Sequence, residues 1–381
     1  MSESILPGAT IGILGGGQLG RMTAMAARSL GYRIQVLDPD PACPASFVVD
    51  ACFQGGWDDA WEAGNMARGC DVVTLEIEQI SLASMEAARK HAPMRPGAEI
   101  LAIVQDRIEQ KNWLTKHGFP VGPYRSARSL DELQEAAKAL GGPCFVKSSH
   151  GGYDGKGQAK IGFNGAATED DVREAWTAVG ERACVAERAI TLEQEISVMV
   201  ARSPRGEMKI FPAASNFHEN QILAWSVIPA TIPVTIEIQA RKIAEEIADT
   251  LQLEGIMAIE MFLTKDGTLL LNEMAPRTHN SYHASERACT TGQFEQAVRA
   301  ICNLPLGDVG VVQPAAIANL LGDVWLDGPP RFDAALAVPG VRLHLYEKER
   351  PRRGRKMGHL SGVGATPAQA VERVLEAARR L

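Results

Sequence analysis

The chain lacks three features that would each point to a particular class of protein. It has no excess of basic residues, since its net charge is -7 over 381 residues, whereas a general nucleic-acid binder needs a basic face. Its seven cysteines are scattered and show no C-x-x-C spacing. It has neither an apolar run near the ~18 residues of a membrane span nor a signal-peptide pattern. We therefore expect a cytoplasmic protein with reduced thiols and no nucleic-acid or membrane partner.

What the chain does contain is enough apolar sequence for large cores. Hydrophobic residues make up 45% of it, which at this length suits two or three domains. Apolar runs at Thr10–Leu14 and Arg33–Asp38 flank a helical pattern at about 18–30, and this order predicts a parallel sheet. Residues 71–78 predict a further strand, and residues 98–117 predict one long helix that ends at a Gly-Phe-Pro sequence.

A glycine-rich loop joins the first strand to the first helix. Residues 15–20, GGGQLG, fit G-x-G-x-x-G, and Asp38 ends the next strand, where a ribose-binding acid would lie. Glycine also lets the backbone approach any anion closely, and a helix N-terminus supplies N–H groups and positive potential. Three interpretations stay open: an NAD or FAD site, a site for a small phosphate or carboxylate, or only a tight turn.

Residues 257–274 predict a β-hairpin with two opposed carboxylates. The sequence Lys-Asp-Gly-Thr at 265–268 indicates a type I′ turn, and that turn would place Glu260 directly opposite Glu273. Like charges with Cβ atoms roughly 5 Å apart are destabilising without compensation. Oxygen ligands favour Mg²⁺ or Mn²⁺, so the pair is a candidate metal site, although a solvated hairpin face is the alternative. By simple alternation Asn272 would point to the other face of its strand, although its position beside Glu273 would still let it reach a nucleotide.

A second glycine-rich stretch follows the apolar run that ends at Lys147. Residues 148–158 are not a Walker A loop, because Lys156 is followed by glycine. A lysine at a strand end with a flexible flap can nevertheless screen triphosphate charge and exclude water. The alternative is a plain surface loop. Residues 184–190, with Glu195 shortly after, would complete an ATP site if the strand paired with adenine and the acid held ribose.

A basic segment lies near the C-terminus. Residues 342–359 contain five arginines and two lysines, although the chain as a whole is acidic. An arginine fork matches phosphate oxygens and a lysine adds a point charge, so Lys348 and Arg355 are candidates for holding a ribonucleotide 5′-phosphate. A solvated loop or an RNA-contacting patch remains the alternative, although Tyr346 is the segment's one aromatic residue available for stacking.

Five segments in this order resemble the ATP-grasp superfamily and, within it, the family of 5-(carboxyamino)imidazole ribonucleotide synthases. They are GGGQLGRM at 15–22, QDR at 105–107, FVKSSHGGYDGKGQ at 145–158, LNEMAPRTHNS at 271–281 and RKMGH at 355–359. Two positions depart from the family's usual HNSGH and YGK, which here contain Tyr282 and Glu347. The resemblance implies an α/β fold with an N-terminal Rossmann-like domain (1–97), an ATP-grasp domain (98–306, with a mobile glycine-loop subdomain at about 120–190) and a small C-terminal domain (307–381).

The resemblance also implies an activity and a set of site residues. The activity is ATP-dependent carboxylation of 5-aminoimidazole ribonucleotide with bicarbonate, in purine biosynthesis, by a homodimer that uses Mg²⁺ or Mn²⁺. The implied ATP contacts are Arg107, Lys147, Gly152, Tyr153, Asp154, Gly155, Lys156, Gly157, Gln158, Glu187, Arg188, Ala189, Ile190, Glu195, His218, Asn272 and Glu273. The implied substrate contacts are Gln18, Leu19, Glu76, Asp154, Arg277, His279, Asn280, Lys348 and Arg355.

The implied metal ligands are Glu260 and Glu273. The chemistry itself would fall to Lys147, Arg277, His279 and Asn280. Three other functions stay open: a formate-dependent transformylase of the same superfamily, an NAD-linked oxidoreductase, and a nucleotide-binding regulator without activity.

Overall fold

The structure is a computed structural model that describes residues 3–151, 157–326 and 328–381. Its strands are β1 (Thr10–Leu14), β2 (Arg33–Asp38), β3 (Ala51–Gln54), β4 (Val72–Leu75), β5 (Tyr124–Ala127), β6 (Cys144–Ser148), β7 (Gln158–Ile161), β8 (Cys184–Arg188), β9 (Leu192–Arg202), β10 (Met208–Ile210), β11 (Ala214–Glu219), β12 (Ile222–Ile228), β13 (Gly255–Thr264), β14 (Leu269–Ala275), β15 (Ala315–Leu321), β16 (Val341–Leu345) and β17 (Lys356–Val363). Its helices are α1 (Gln18–Ser29), α2 (Ala60–Ala67), α3 (Leu82–Arg89), α4 (Ala98–Gln105), α5 (Arg107–Lys116), α6 (Leu130–Leu140), α7 (Glu169–Ala178), α8 (Val234–Thr250), α9 (Ser285–Ala288), α10 (Gln293–Ile301), α11 (Phe332–Leu336) and α12 (Pro367–Arg379).

The N-terminal sheet has the strand order β3-β2-β1-β4, with every neighbouring pair parallel. All five residues of β1 are buried, as expected when helices cover both faces of a parallel sheet. The predicted parallel sheet and the α/β fold class are therefore confirmed. β4 is shorter than the predicted 71–78 strand, because it ends at Leu75, and the residues after it are free to enter the site described below.

Residues 98–117 form two helices, so the prediction of one long helix is wrong. Asp106 has extended dihedral angles (φ -109°, ψ 112°) and accepts a hydrogen bond from the Ile108 N–H through its own carboxylate at 2.8 Å. Aspartate is a favoured N-cap residue because its carboxylate satisfies the free amides of a helix start. This break makes Arg107 the first residue of α5 and places Lys111 one turn further along the same face.

A smaller antiparallel sheet has the strand order β5-β8-β6-β7. Helices α6 and α7 cover one face of it with an apolar core. On the other face, Phe145 of β6 pairs with Glu187 of β8. Lys147 lies two residues further along β6, so its side chain stands on the same face, diagonally across from Glu187.

The largest sheet has the strand order β14-β13-β9-β11-β12-β15-β17-β16, with β10 paired to β9. β12 pairs with β15 in antiparallel register, so this sheet continues from the middle of the chain into its C-terminal part. α12 packs on β15 and β17, and α8 packs on the β9 and β13 side. No helix among the described residues is both long enough and apolar enough to cross a membrane.

Candidate active site

The hairpin of β13 and β14 places Glu260 opposite Glu273, as predicted. The predicted turn type is wrong, however. A type I′ turn needs two residues with positive φ, and in the turn only Gly267 has one, at +85°. The longer turn pairs Leu263 with Leu269, which is one residue away from the predicted register.

A β-bulge at Asn272 restores the register. The strand pairing shifts between Glu260 and Met261, so Asn272 is an extra residue on β14 and Glu273 returns to its predicted position. Bulges re-aim side chains, and Asn272 does not point away from the site as alternation predicted. Its Oδ1 instead accepts a hydrogen bond from Lys147 Nζ at 3.4 Å.

The two opposed carboxylates are not balanced by the protein alone. Burial and the charge of Glu273 raise the pKa of Glu260 to about 7. No cluster of three or more His, Cys, Asp or Glu side chains suited to a metal occurs in the described ranges. Mg²⁺ commonly takes one or two carboxylates and completes its shell with water and substrate phosphates. The pair therefore fits a divalent cation that arrives with a nucleotide.

A buried ion triad lies beside this pair. Lys147 Nζ is 2.9 Å and Lys111 Nζ 3.4 Å from the carboxylate of Glu187. Burial alone would raise the pKa of Glu187, but the two ammonium charges outweigh it and lower the value to about 2. The triad thus keeps Glu187 ionised and holds Lys147 near Asn272. Sequence reasoning missed Lys111, although its spacing of four residues from Arg107 on a helix was a usable signal.

Arg107 connects the end of β6 to the carboxylate pair. Its amide N–H donates to the Ser149 carbonyl at 2.9 Å, and its guanidinium donates to the Ser148 carbonyl at 3.4 Å. The same guanidinium is 3.8 Å from a carboxylate oxygen of Glu273. The structure therefore brings three predicted ATP contacts, Arg107, Lys147 and Glu273, into one cluster of charges.

The segment after β8 and the second glycine-rich stretch border this cluster. The amides of Arg188 and Ala189 donate to the carbonyls of Pro123 and Pro143 at 2.9 and 2.8 Å, and Ile190 follows directly. In β7, Gln158 pairs with Lys147, and the Gly157 carbonyl accepts a hydrogen bond from Ser148. The remaining predicted contacts in this stretch lie outside the described residues: Gly152, Tyr153, Asp154, Gly155 and Lys156.

Glu195 and His218 contact each other on the central strands. His218 Nδ1 lies 2.9 Å from a carboxylate oxygen of Glu195. Burial opposes protonation of His218, but Glu195 and Glu260 outweigh burial and raise its pKa. Both predicted ATP contacts therefore lie on the same side of the sheet as the carboxylate pair.

The residues after β14 turn toward the N-terminal domain. Arg277 forms an ion pair with Glu78 at 2.8 Å, and His279 Nε2 lies 3.7 Å from Glu260. Arg277 Nε and both polar atoms of the Asn280 side chain are buried without a hydrogen-bond partner in the described part of the chain. Such groups are costly unless a ligand satisfies them. Glu78 was missed, although it belongs to the acidic run at the end of β4.

The N-terminal glycine loop binds carboxylates of the chain itself. The Gly16 amide donates to Asp38 at 2.7 Å, while the amides of Gly17 and Gly20 donate to Glu76 at 2.6 and 2.8 Å. A Cβ on Gly17 would lie 2.4 Å from that carboxylate, so the close approach requires glycine. Burial raises the pKa of Glu76. The dinucleotide interpretation loses its physical basis, because the amides that would hold a pyrophosphate are occupied.

The C-terminal basic segment reaches the start of α1. Lys348 Nζ donates to Gln18 Oε1 at 2.5 Å and to the Lys356 carbonyl at 2.8 Å. Arg355 donates to the Arg350 carbonyl at 2.8 Å within the same segment. Leu19 is buried within the N-terminal domain. The structure thus joins two of the predicted substrate contacts, Gln18 and Lys348, although 330 residues separate them in sequence.

The two positions that depart from the resembled motifs have simple structural explanations. The Tyr282 ring is fully buried, and its hydroxyl lies 2.9 and 2.8 Å from the carbonyls of Ser197 and Pro212, so it faces the core beneath β9. Glu347 has φ +59°, a conformation that favours glycine, and its carboxylate is 3.6 Å from Arg21. Tyr282 therefore packs into the core, and Glu347 contacts α1.

Three family models match the chain in sequence order. A ribonucleotide synthetase preATP-grasp domain matches residues 8–105, an ATP-grasp domain matches residues 112–294, and a phosphoribosylaminoimidazole carboxylase C-terminal domain matches residues 315–373. The Rossmann-like, ATP-grasp and C-terminal organisation is therefore confirmed.

Relatives match nearly the whole chain. The N5-carboxyaminoimidazole ribonucleotide synthase of Bacillus subtilis is 38% identical over 95% of this chain and 93% of its own, and that of Brucella melitensis is 38% identical over 94% and 98%. A solved ADP complex of an N5-carboxyaminoimidazole ribonucleotide synthetase superposes with a TM-score of 0.92 at 40% identity, covering 99% of this chain and 98% of that one. The Aspergillus clavatus enzyme with ADP and 5-aminoimidazole ribonucleotide superposes with a TM-score of 0.87 at 28% identity, covering 98% and 99%.

Proposed function

Because this chain belongs to the family of N5-carboxyaminoimidazole ribonucleotide synthases, we propose that it carboxylates 5-aminoimidazole ribonucleotide with bicarbonate at the expense of ATP. The observation that carries the proposal is that groups for the nucleotide and groups for the second substrate lie together. The triad around Glu187 and the carboxylate pair suit a nucleotide and its cation. Arg277, His279 and Asn280 follow Glu273 by four to seven residues and suit the second substrate. One face of the central sheet therefore presents groups for both reactants.

The nucleotide half of the site is formed by cations that are already positioned. Lys147 is held between Glu187 and Asn272, and Arg107 is anchored on the carbonyls at the end of β6. Preorganised cations stabilise the charge that develops on a transferred phosphoryl group without rearranging during the reaction. We assign Lys147 and Arg107 to the ATP phosphates, and Glu195 with His218 to the adjacent part of the nucleotide.

Glu260 and Glu273 would hold the divalent cation, for which we propose Mg²⁺. When bound, Mg²⁺ would supply positive charge that neutralises the charge developing on the transferred phosphoryl group. The raised pKa of Glu260 supports this assignment, since a pair of carboxylates that repel each other is relieved by a cation. We also propose a homodimer, as the family resemblance implies, and its test is the molar mass of the purified protein in solution.

The substrate half lies between the three parts of the chain. Lys348 and Arg355 from the C-terminal segment would hold the 5′-phosphate of the ribonucleotide. Gln18 at the start of α1 and Glu76 directly after β4 would contribute from the N-terminal domain, and Arg277 from the segment after β14. Because Lys348 contacts Gln18 directly, the phosphate and the ring of one ribonucleotide can span these groups.

The chemistry divides into two steps. A bicarbonate oxygen attacks the γ-phosphorus of ATP, and the bond from that phosphorus to the bridging β-phosphate oxygen breaks. Carboxyphosphate forms and ADP is the leaving group. The exocyclic amine of the ribonucleotide then attacks the carboxyl carbon, phosphate leaves, and the amine loses a proton. Lys147 and Arg277 would spread the charge of the first step, while His279 and Asn280 would orient the carboxyl group in the second.

The test is the substrate dependence of phosphate release. Purified protein with ATP, Mg²⁺ and ¹³C-bicarbonate should release phosphate and form a ¹³C-labelled carbamate only when 5-aminoimidazole ribonucleotide is present. Equal turnover with formate and glycinamide ribonucleotide would overturn the assignment in favour of a transformylase. Tight ATP binding without turnover on any of these substrates would favour a regulator.

A further inference from the structure

His279 is held through one of its two ring nitrogens by a hydroxyl and by a backbone N–H, and the backbone N–H can only donate. Its Nδ1 lies 2.9 Å from the hydroxyl oxygen of Ser281 and 3.4 Å from the backbone amide nitrogen of the same residue. A backbone N–H cannot accept a hydrogen bond. The nitrogen that it faces must therefore carry a lone pair and not a hydrogen.

A buried chain of side chains supplies the second donor. Asn216 Nδ2 donates to Ser197 Oγ at 3.0 Å, and Ser197 Oγ donates to Ser281 Oγ at 2.9 Å. Ser197 and Ser281 are completely buried and Asn216 is 6% exposed. Each hydroxyl has one hydrogen to donate, so a hydroxyl that accepts from one neighbour passes its hydrogen to the next. Ser281 then donates to His279 Nδ1.

The opposite direction of this chain conflicts with fixed atoms. If the Asn216 amide were reversed, its oxygen would accept from Ser197 and Ser281 would donate to Ser197. The Ser281 hydroxyl would then have no hydrogen left for His279 Nδ1, and the contact could be a hydrogen bond only if Nδ1 donated. The backbone N–H of Ser281 would then face the hydrogen on Nδ1. Because a backbone amide cannot turn over as a side-chain amide can, the direction ending in an acceptor at Nδ1 is the consistent one.

We propose that Ser281, supported by Ser197 and Asn216, is a positioning residue that holds His279 with its hydrogen on Nε2, directed toward Glu260 and the reacting groups. This proposal rests on the function proposed above. His279 then serves as a hydrogen-bond donor to an oxygen of the carboxyl group that is transferred, and it is not the base that takes the proton of the amine. The hydrogen bond on one ring nitrogen sets the role of the other.

The chain offers a matched pair of variants. Ser281→Ala removes the hydroxyl that faces Nδ1. Ser226→Ala removes another fully buried hydroxyl that contacts the same residue, since Ser226 Oγ donates to the backbone carbonyl of Ser281 at 2.9 Å. Both changes delete one oxygen from the same buried region, but only the first breaks the chain to the imidazole.

The direct readout is ¹⁵N NMR of histidine-labelled protein, with the His279 signals identified by their loss in His279→Gln. We expect an unprotonated Nδ1 and a protonated Nε2 in the wild type and in Ser226→Ala, and a mixture of the two forms in Ser281→Ala. A wild-type His279 with its hydrogen on Nδ1 overturns the proposal, even if Ser281→Ala fails to fold.

Kinetics provide the second readout. We expect Ser281→Ala to lower kcat by roughly tenfold or more, with the KM for ATP unchanged, whereas Ser226→Ala keeps the wild-type kcat. Equal kcat values for the two variants would contradict the proposal. The NMR result needs no turnover, so it separates failure of this inference from failure of the proposed activity.

Discussion

The first glycine loop and the β13–β14 hairpin both involve glutamate carboxylates. In the loop the carboxylate is paired with hydrogen-bond donors, whereas in the hairpin two carboxylates face each other. In the loop, Glu76 accepts two backbone amides, so the positive end of α1 is satisfied within the chain. In the hairpin, Glu260 stands opposite Glu273, and that carboxylate, together with burial, raises the pKa of Glu260. The amides of the loop are occupied by carboxylates of the chain itself, whereas the opposed carboxylates of the hairpin would be balanced by a bound cation.

This difference shows which sequence signals point to binding. The loop matches a well-known nucleotide motif, yet its glycines serve the close approach of an internal carboxylate. The hairpin matches no short motif, yet it places two carboxylates opposite each other, and Arg107 at 3.8 Å from Glu273 offsets their repulsion only in part. A partly compensated pair of like charges is therefore the stronger sign of a functional site here. Glutamate-to-glutamine substitutions in the two regions should accordingly change the free energy of unfolding of the ligand-free protein in opposite directions.

The largest expected effect is the loss of turnover in Glu273→Gln. Removing one carboxylate weakens the hold on the cation that neutralises the transferred phosphoryl group, which is worth several kcal/mol, so kcat should fall by about a thousandfold. Phosphate release under saturating substrates measures it. Glu193→Gln, an exposed change on the same sheet, is the control and should keep wild-type turnover. Wild-type turnover in Glu273→Gln would remove the metal argument.

The next effect is a loss of stability in Glu76→Gln. A glutamine oxygen can accept one of the two amides now bonded to Glu76, but its NH₂ group would face the other. Leaving a buried amide unpaired costs about 2 kcal/mol, so the free energy of unfolding should fall by about that amount in urea titrations. An unchanged value would show that the loop does not depend on this carboxylate.

A smaller effect of opposite sign is expected for Glu273→Gln without ligands. This change removes the repulsion between opposed carboxylates, which is worth up to about 1 kcal/mol. It also removes the ion pair of Glu273 with Arg107, but that contact is long, at 3.8 Å, and partly exposed, so it is worth less. The free energy of unfolding of the ligand-free protein should therefore rise, measured by the same urea titration. A decrease like that of Glu76→Gln would break the contrast between the two regions.

The last effect concerns the dependence of stability on pH. The folded-state pKa of Glu260 is raised to about 7, above that of a free glutamate, so the folded protein holds this proton more tightly than the unfolded chain. That contribution to stability is full at low pH and is lost as the pH rises through about 7. Glu260→Gln should therefore lose less stability than the wild type between pH 6 and pH 8 (roughly one unit either side of that pKa). Identical slopes would contradict the assignment.

Much of the fold was predictable because its local signals agree. The apolar run of β1, the glycine loop and the amphipathic α1 all indicate a βαβ unit, and the structure contains it. The helix break at Asp106 was missed because a continuous helical pattern hides a single capping residue. The bulge at Asn272 was missed because a register shift depends on pairing with a partner strand and leaves no periodic signal.

The site was predictable in part for the same reason. Glu260 and Glu273 lie within one hairpin, so their opposition follows from local pairing. The contacts of Lys111 with Glu187, of Glu78 with Arg277 and of Lys348 with Gln18 join distant segments, and their distances depend on tertiary packing.

The most direct test of the central claim is cation binding at the carboxylate pair. Free Mn²⁺ can be counted by electron paramagnetic resonance while ADP is added to the wild type and to the double variant Glu260→Gln, Glu273→Gln. The account predicts that the wild type binds Mn²⁺ when ADP is added. With the double variant, the only Mn²⁺ removed from solution should be the amount that free ADP binds by itself. Equal ADP-dependent binding by both proteins would contradict it.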